Sequence, residues 1–159
     1  MSATLTQMIA NYLDGSRLIR QAVHGLNREQ LLARPIAGKW STLEVVSHLA
    51  DFEPILAERM KRVLAEDRPT LLSADENRFA SALAYHERNL EEELALIEHT
   101  RSQMARILRT LPLEALQRVG VHSERGPRTL EQLLTGAADH IPHHVQFIHE
   151  KRKALGLPA

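Results

Sequence analysis

Thr135–Glu150, TGAADHIPHHVQFIHE, carries four of the chain's nine histidines inside an amphipathic helical pattern. Around it Leu130, Leu133, Leu134, Ala137, Ile141, Val145 and Ile148 recur at helical spacing and form one apolar stripe. Advancing about 100° per residue, His144 falls near the middle of that stripe. His140 lies to one side of it but still faces inward, whereas His143 and His149 point away. His140 and His144 are four residues apart, so their rings stack one turn apart on one face. That spacing lets two imidazoles reach one metal ion from ordinary rotamers. His140 with His143 is also a legal i, i+3 pair. Pro142 lies between the two inward rings and frees the carbonyl of Ala138. The stripe resumes in phase beyond it, so a bent helix is expected and not a stop. An inward polar face of this kind needs other helices packed around it.

The rest of the chain supplies three. Leu5–Val23 places Leu5, Met8, Ile9, Tyr12, Leu13 and Ile19 at helical spacing, with Gly25 as the stop. A short turn follows over Asn27–Ala33. Ser41 and Glu44 form an S-x-x-E capping box, flanked by the Trp40 and Val45 staple, and open a second long helix reaching about Glu66. Pro54 should bend it. A third helix is expected from near Asp75 to Leu111, because Leu83, Leu90, Ile97, Met104 and Leu111 are spaced by seven, the period of helices packed at a shallow angle. Leu113–Arg128 reads as an irregular connection, and Thr129 with Gln132 caps the fourth helix. No segment alternates convincingly as a strand. The expectation is an all-α, four-helix bundle, with residues 1–159 forming a single domain.

Composition narrows the function. Twenty basic and twenty acidic residues leave no formal net charge, which argues against a nucleic-acid partner. There is no cysteine, so histidine and carboxylate are the available ligands and no thiol nucleophile is built in. The opening segment lacks the pattern of a secretory signal, and no apolar run is long enough to cross a bilayer, so a soluble cytoplasmic protein with no membrane partner is expected.

Other candidate groups lie on the second and third helices. His48 sits at the flank of the second helix's stripe. Glu53 is nearer its middle, either as the ion-pair partner of an arginine or as the acceptor that orients a ligand histidine. Glu44 is accounted for by its cap. His86 falls inward on the third helix and reads as a satisfied core residue, while His24, His99 and His122 read as surface residues. No histidine has a glutamate three positions before it, which removes the Glu-x-x-His pattern of di-iron bundles. No His-Glu-x-x-His, P-loop or dinucleotide fingerprint is present.

The segment Gly38–Glu53, GKWSTLEVVSHLADFE, resembles the second helix of the DinB/YfiT-like metalloenzymes. TLEQLL followed by HIPHHVQFI is similar to that family's closing helix, and Ser73–Arg78, SADENR, to the segment before its third helix. The resemblance spans nearly the whole chain in order. It implies a four-helix bundle holding one divalent ion, nickel or zinc, through three histidines, here His48, His140 and His144. His140 and His144 are the pair that helix geometry also selects; His48 rests on the resemblance. Characterised branches are similar to thiol S-transferases using bacillithiol or mycothiol, and others are regarded as hydrolases. The expected activity is therefore metal-dependent S-transfer to an electrophilic small molecule, or hydrolysis, with any thiol arriving as cosubstrate. Glu53 is the candidate for orienting a ligand or shuttling a proton. A homodimer is compatible with the resemblance. The competing reading is a non-catalytic metal- or ligand-binding bundle, in which a fourth protein ligand such as His86 or Glu53 closes the site.

Overall fold

The computed structural model describes residues 3–158. Four long helices make the body: α1 (Ala3–Val23), α3 (Thr42–Ala65), α5 (Leu90–Leu108) and α6 (Leu130–Ala154). Two short helices, α2 (Arg28–Leu32) and α4 (Glu76–Ala82), lie in the connections. Each of α1 and α3 packs against both α5 and α6. Helices consecutive along the chain, α1 with α3 and α5 with α6, therefore stand at opposite corners. This ordering sets α3 beside α6, and hence His48 beside the histidine-rich helix.

The helix starts follow from local chemistry. Ser41, Thr129 and Asn27 each close a reciprocal capping box, with Glu44, Gln132 and Gln30 returning to the cap's own N–H. Both α3 and α6 run unbroken past their internal prolines, Pro54 and Pro142. Among the described residues, no helix is long and apolar enough to cross a membrane.

Two expectations are corrected. The region from Asp75 to Leu111 is not one helix. It breaks after α4, passes through a tight 3-10 turn at Tyr85–Glu87 and restarts at Leu90. Ala84 takes a left-handed conformation at φ 49°, and the Asn89 side chain accepts from the N–H groups of Glu91 and Glu92 as a new cap. The break buries Tyr85 fully and leaves Leu83 exposed. It is pinned by Arg88, whose guanidinium spans Asp51 at 2.6 and 2.9 Å and Glu93 at 3.1 Å. His86 consequently projects into solvent, 63% exposed, and is no core residue.

A small sheet is also present. Its strands are β1 (Thr70–Leu71), β2 (Val119–His122) and β3 (Gly126–Thr129); β1 runs parallel to β2, and β2 antiparallel to β3. These strands are too short for alternation to register, and Pro127 is tolerated because β3 is an edge strand. Gly120 lets the backbone close on the core: a Cβ there would meet Leu71 and Val63 side chains at 2.8 Å.

The bundle has two apolar halves. One gathers Leu5, Ile9, Met60, Met104, Leu108 and Leu134. The other gathers Ile19, Val46, Leu49, Ile97, Ile141 and Ile148. Between them lies a buried polar layer from Tyr12, Glu53 and Arg101, all fully inaccessible.

Candidate metal centre

His48 on α3 meets His140 and His144 on α6. Ring centroids are 5.1 Å apart for His48 and His140, 4.7 Å for His48 and His144, and 4.8 Å for His140 and His144. The Nε2 atoms of His48 and His140 approach to 3.2 Å. One ring nitrogen from each of the three lies within 4.8 Å of the others.

The rings are held by packing. The Nδ1 atoms of all three are buried and have no hydrogen-bond partner. Aromatic side chains supply the walls: Phe52 lies 4.5 Å and Trp40 5.4 Å from the His48 ring, and Phe147 5.6 Å from that of His144. Phe79 backs Phe52 at 5.4 Å. The chain's three Phe and single Trp are thus all spent around this cluster. Burial pushes His48 down to about 4, against a small opposing pull from Asp51. Burial, reinforced by the neighbouring imidazoles, takes His140 and His144 down to about 3. At neutral pH all three are uncharged, each with a lone pair available.

Glu53 does not join them. Its Oε1 accepts from the Tyr12 hydroxyl at 2.6 Å, and its Oε2 lies 2.8 Å from Arg101 Nη2. Arg101 also donates to the carbonyls of Tyr12 and Ala137 and lies 4.5 Å over the Tyr12 ring. Glu53 is thus the ion-pair partner of an arginine, and its link to α6 runs through Arg101 to a carbonyl one turn before His140 and Ile141. Burial raises its pKa, and Arg101 opposes the rise.

Two further groups were not among the candidates read from sequence. Glu76 Oε2 stands 3.8 Å from His48 Nε2. The signal for it was the Asp75 cap, which fixes Glu76 in the first turn of α4. His122, read as a surface residue, is buried on β2 because the sheet folds it inward. His143 is exposed as expected, and His149 is half-buried.

Two cavities meet at the cluster. One, about 420 Å³, runs between α3 and α6 and is lined by His48, His140, His144, Phe52, Leu56 and Arg59, among others. The second, about 310 Å³, is bounded by Trp40, Phe147 and Lys151. Both reach His144 and Glu76. A larger cleft of about 680 Å³ near Pro54 contains no histidine, and its charged groups, Glu58 and Arg62, pair with each other.

Known proteins share this fold. YfiT from Bacillus subtilis, described as a probable metal-dependent hydrolase with an unusual four-helix bundle topology, superposes with a TM-score of 0.91. The match covers 99% of this chain and 91% of that one at 26% identity. A mycothiol-dependent maleylpyruvate isomerase shares the fold, with a TM-score of 0.70 and 14% identity over 89% of this chain and 59% of that one. A candidate metal-dependent hydrolase of Oceanobacillus iheyensis is 29% identical over 91% of this chain and 83% of its own length. Another, from Geobacillus thermodenitrificans, is 31% identical over 87% and 78%. The sequence profile of the DinB superfamily matches residues 14–148. The chain belongs to the DinB superfamily.

Proposed function

We propose that the protein is a mononuclear divalent-metal enzyme in which His48, His140 and His144 hold the ion and the adjoining cleft takes a small electrophilic substrate. The observation that carries this reading is the convergence of three uncharged imidazoles, His48 buried and His140 and His144 half-buried, on the wall of an open cleft. The donor set fits such an ion. Ligand bonds of about 2.0–2.1 Å in a tetrahedron set nitrogens about 3.3 Å apart, and the Nε2 atoms of His48 and His140 are 3.2 Å apart. Three imidazoles suit nickel or zinc. When bound, the ion would supply Lewis acidity, lowering the pKa of a water or thiol beside it.

The side chains around the cluster supply the rest. Glu76 Oε2, 3.8 Å from His48 Nε2, is placed to accept the proton that the nucleophile gives up. Phe52 and Trp40 wall the His48 ring on the α3 side, with Phe79 behind Phe52. The side chains that could have closed a fourth position from sequence, His86 and Glu53, lie elsewhere, which favours catalysis over a purely structural ion.

Hydrolysis is the first reading, supported by the descriptions of the relatives from Oceanobacillus, Geobacillus and Bacillus subtilis. Thiol-dependent transfer is the second. It is favoured by the two cavities meeting at His144 and Glu76, room for an electrophile on one side and a thiol cosubstrate on the other. Elemental analysis of the purified protein should find about one divalent ion per chain, lost in His140→Ala/His144→Ala. Ester and lactone hydrolysis, assayed with and without added thiol, separates the two reactions. Full metal retention in the double variant would sink the assignment.

A further inference from the structure

The cleft between α3 and α6 has two chemically different ends. Along α3 its wall is His48, Phe52, Leu56 and Arg59, at steps that keep one helix face turned to the cleft. His48 and Arg59 are eleven residues apart, about 16 Å along the axis. On α6 the facing residues are His144, His140, Gly136, Leu133 and Gln132. The far end is closed by the β2–β3 hairpin, which contributes His122, Glu124, Arg125 and Arg128. His48, His140, His144 and Glu76 therefore occupy one end, apolar side chains the middle, and Arg59, Arg125 and Arg128 with His122 and Glu124 the other end.

Those arginines form no close ion pair. Among the described residues, none of Arg59, Arg125 and Arg128 has a carboxylate within ion-pair distance, whereas Arg20, Arg34, Arg88 and Arg101 all do. Arg59 is 8% exposed, gives Nη2 to the Leu72 carbonyl at 2.6 Å, and leaves its Nε–H buried without an acceptor. An undonated buried guanidinium N–H is costly. Burial and the adjacent Arg125 both disfavour the charge on Arg59, opposed only by Glu58 and Glu124. His122 adds a neutral donor: its Nδ1 accepts from the N–H groups of Glu124 and Arg125 at 3.2 and 3.3 Å, so in the uncharged ring the proton sits on Nε2.

We propose that this end of the cleft binds the anionic head, carboxylate or phosphate, of an amphiphilic small molecule whose apolar segment lies along Phe52, Leu56 and Leu133. A guanidinium fork matches either head group in a bidentate contact. The inference rests on the metal-enzyme reading for its last step, that the reacting bond of such a substrate sits at the histidine end. The substrate class is then an acidic molecule with its electrophilic centre several carbons from the anion.

Octanoate and octyl phosphate are the probes, with octanamide as the uncharged control, titrated calorimetrically into the protein as purified. Saturable binding of at least one anion is expected, at least ten-fold tighter than the amide, and whichever anion binds tighter identifies the head group. Arg128→Gln and Arg59→Gln should each weaken it ten-fold or more. Arg59 is buried, so Arg128→Gln, at a half-buried site and checked for an unchanged unfolding midpoint, carries the test. The amide binding as well as both anions, or anion binding indifferent to Arg128→Gln, overturns the proposal. In His140→Ala/His144→Ala, anion binding should survive loss of the metal. Arginine-dependent binding in protein that never holds an ion would remove the metal reading and leave this subsite standing. One bound ion with no anion binding would do the reverse.

Discussion

The Arg101 guanidinium lies 2.8 Å from the Glu53 carboxylate with neither side chain exposed to solvent, at the level where the two apolar halves of the bundle meet. The pair joins α3 to α5, Tyr12 brings in α1, and the bond from Arg101 to the Ala137 carbonyl brings in α6. Burying two charges is expensive, and their attraction repays it only when the remaining donors and acceptors are also met. Here the two Arg101 Nη atoms are, and Nε is not.

Removing one partner should therefore cost far more than removing both. Arg101→Met or Glu53→Leu alone leaves an uncompensated buried charge, with an expected loss of about 3–5 kcal/mol in urea unfolding. The double variant should be less destabilised than either single. A double variant that loses the sum of both singles would show that the two side chains are not coupled. Because Arg101 also fixes α6 beside the histidines, metal affinity should fall in both single variants.

Gly15 and Gly136 both lie inside long helices, and alanine at the two positions should act in opposite directions. In an exposed helix interior, Gly→Ala gains about 0.5–1 kcal/mol. At Gly136 an added Cβ meets nothing within 4 Å, so that gain should appear in full as a higher unfolding midpoint. At Gly15 it would stand 2.2 Å from Arg101 Nη1 and 3.3 Å from Ile141. The guanidinium would have to leave its carbonyls, and a net loss of about 1–3 kcal/mol is expected. Gly136 also lines the cleft, so Gly136→Leu should keep the stability and narrow the space available to a ligand.

What the sequence revealed follows the range of the forces involved. The four long helices, their capping boxes and the inward pair His140 and His144 are properties of segments shorter than thirty residues, and periodicity displays them. The order of the helices is set by how faces pair across the bundle, which no single segment records, so His48 could be reached only through family resemblance. The heptad from Leu83 to Leu111 misled because spacing cannot see a cap: Asn89 and Ala84 interrupt a continuous apolar register. The inward turn of His122 depends on a two-residue strand, Thr70–Leu71, pairing with β2 fifty residues later. Glu53 was narrowed to two partners by its place on an apolar face; which one holds it required Arg101, forty-eight positions away.

That interrupted helix can be tested at its two special residues. Asn89→Ala removes the acceptor for the Glu91 and Glu92 N–H groups, with an expected loss of about 1 kcal/mol. Ala84 holds φ 49°, a conformation that costs an L-residue roughly 1–2 kcal/mol, so Ala84→Gly should stabilise the protein despite its greater unfolded-state entropy. If the segment were helical throughout, Asn89→Ala would raise the unfolding midpoint and Ala84→Gly would lower it. The signs of the two midpoint shifts decide between the two structures.

His122 should make the protein acid-sensitive in a defined window. Burial, followed by Arg59 and Arg125, lowers its pKa below the ordinary 6.5, with Arg128 adding to the effect and Glu124 opposing it. Between that lowered value and 6.5 the unfolded chain holds a proton on this ring and the folded chain does not. Stability contributed in this way is present above 6.5 and is lost as pH falls through the window. Urea midpoints at pH 7.5 and 5.5 should therefore drop less in His122→Gln than in the parent. His48, His140 and His144 shift in the same direction and contribute to the remaining slope, which the raised carboxyls of Glu53 and Glu93 oppose. NMR titration of the imidazole Cε1–H signals gives the direct reading. The His122 midpoint should lie below 6.5 and rise in Arg59→Met, since one of the cations facing the ring is then gone. A midpoint at or above 6.5 in the parent protein would mean that the ring is solvated, and that the hairpin does not close the cleft over Arg59.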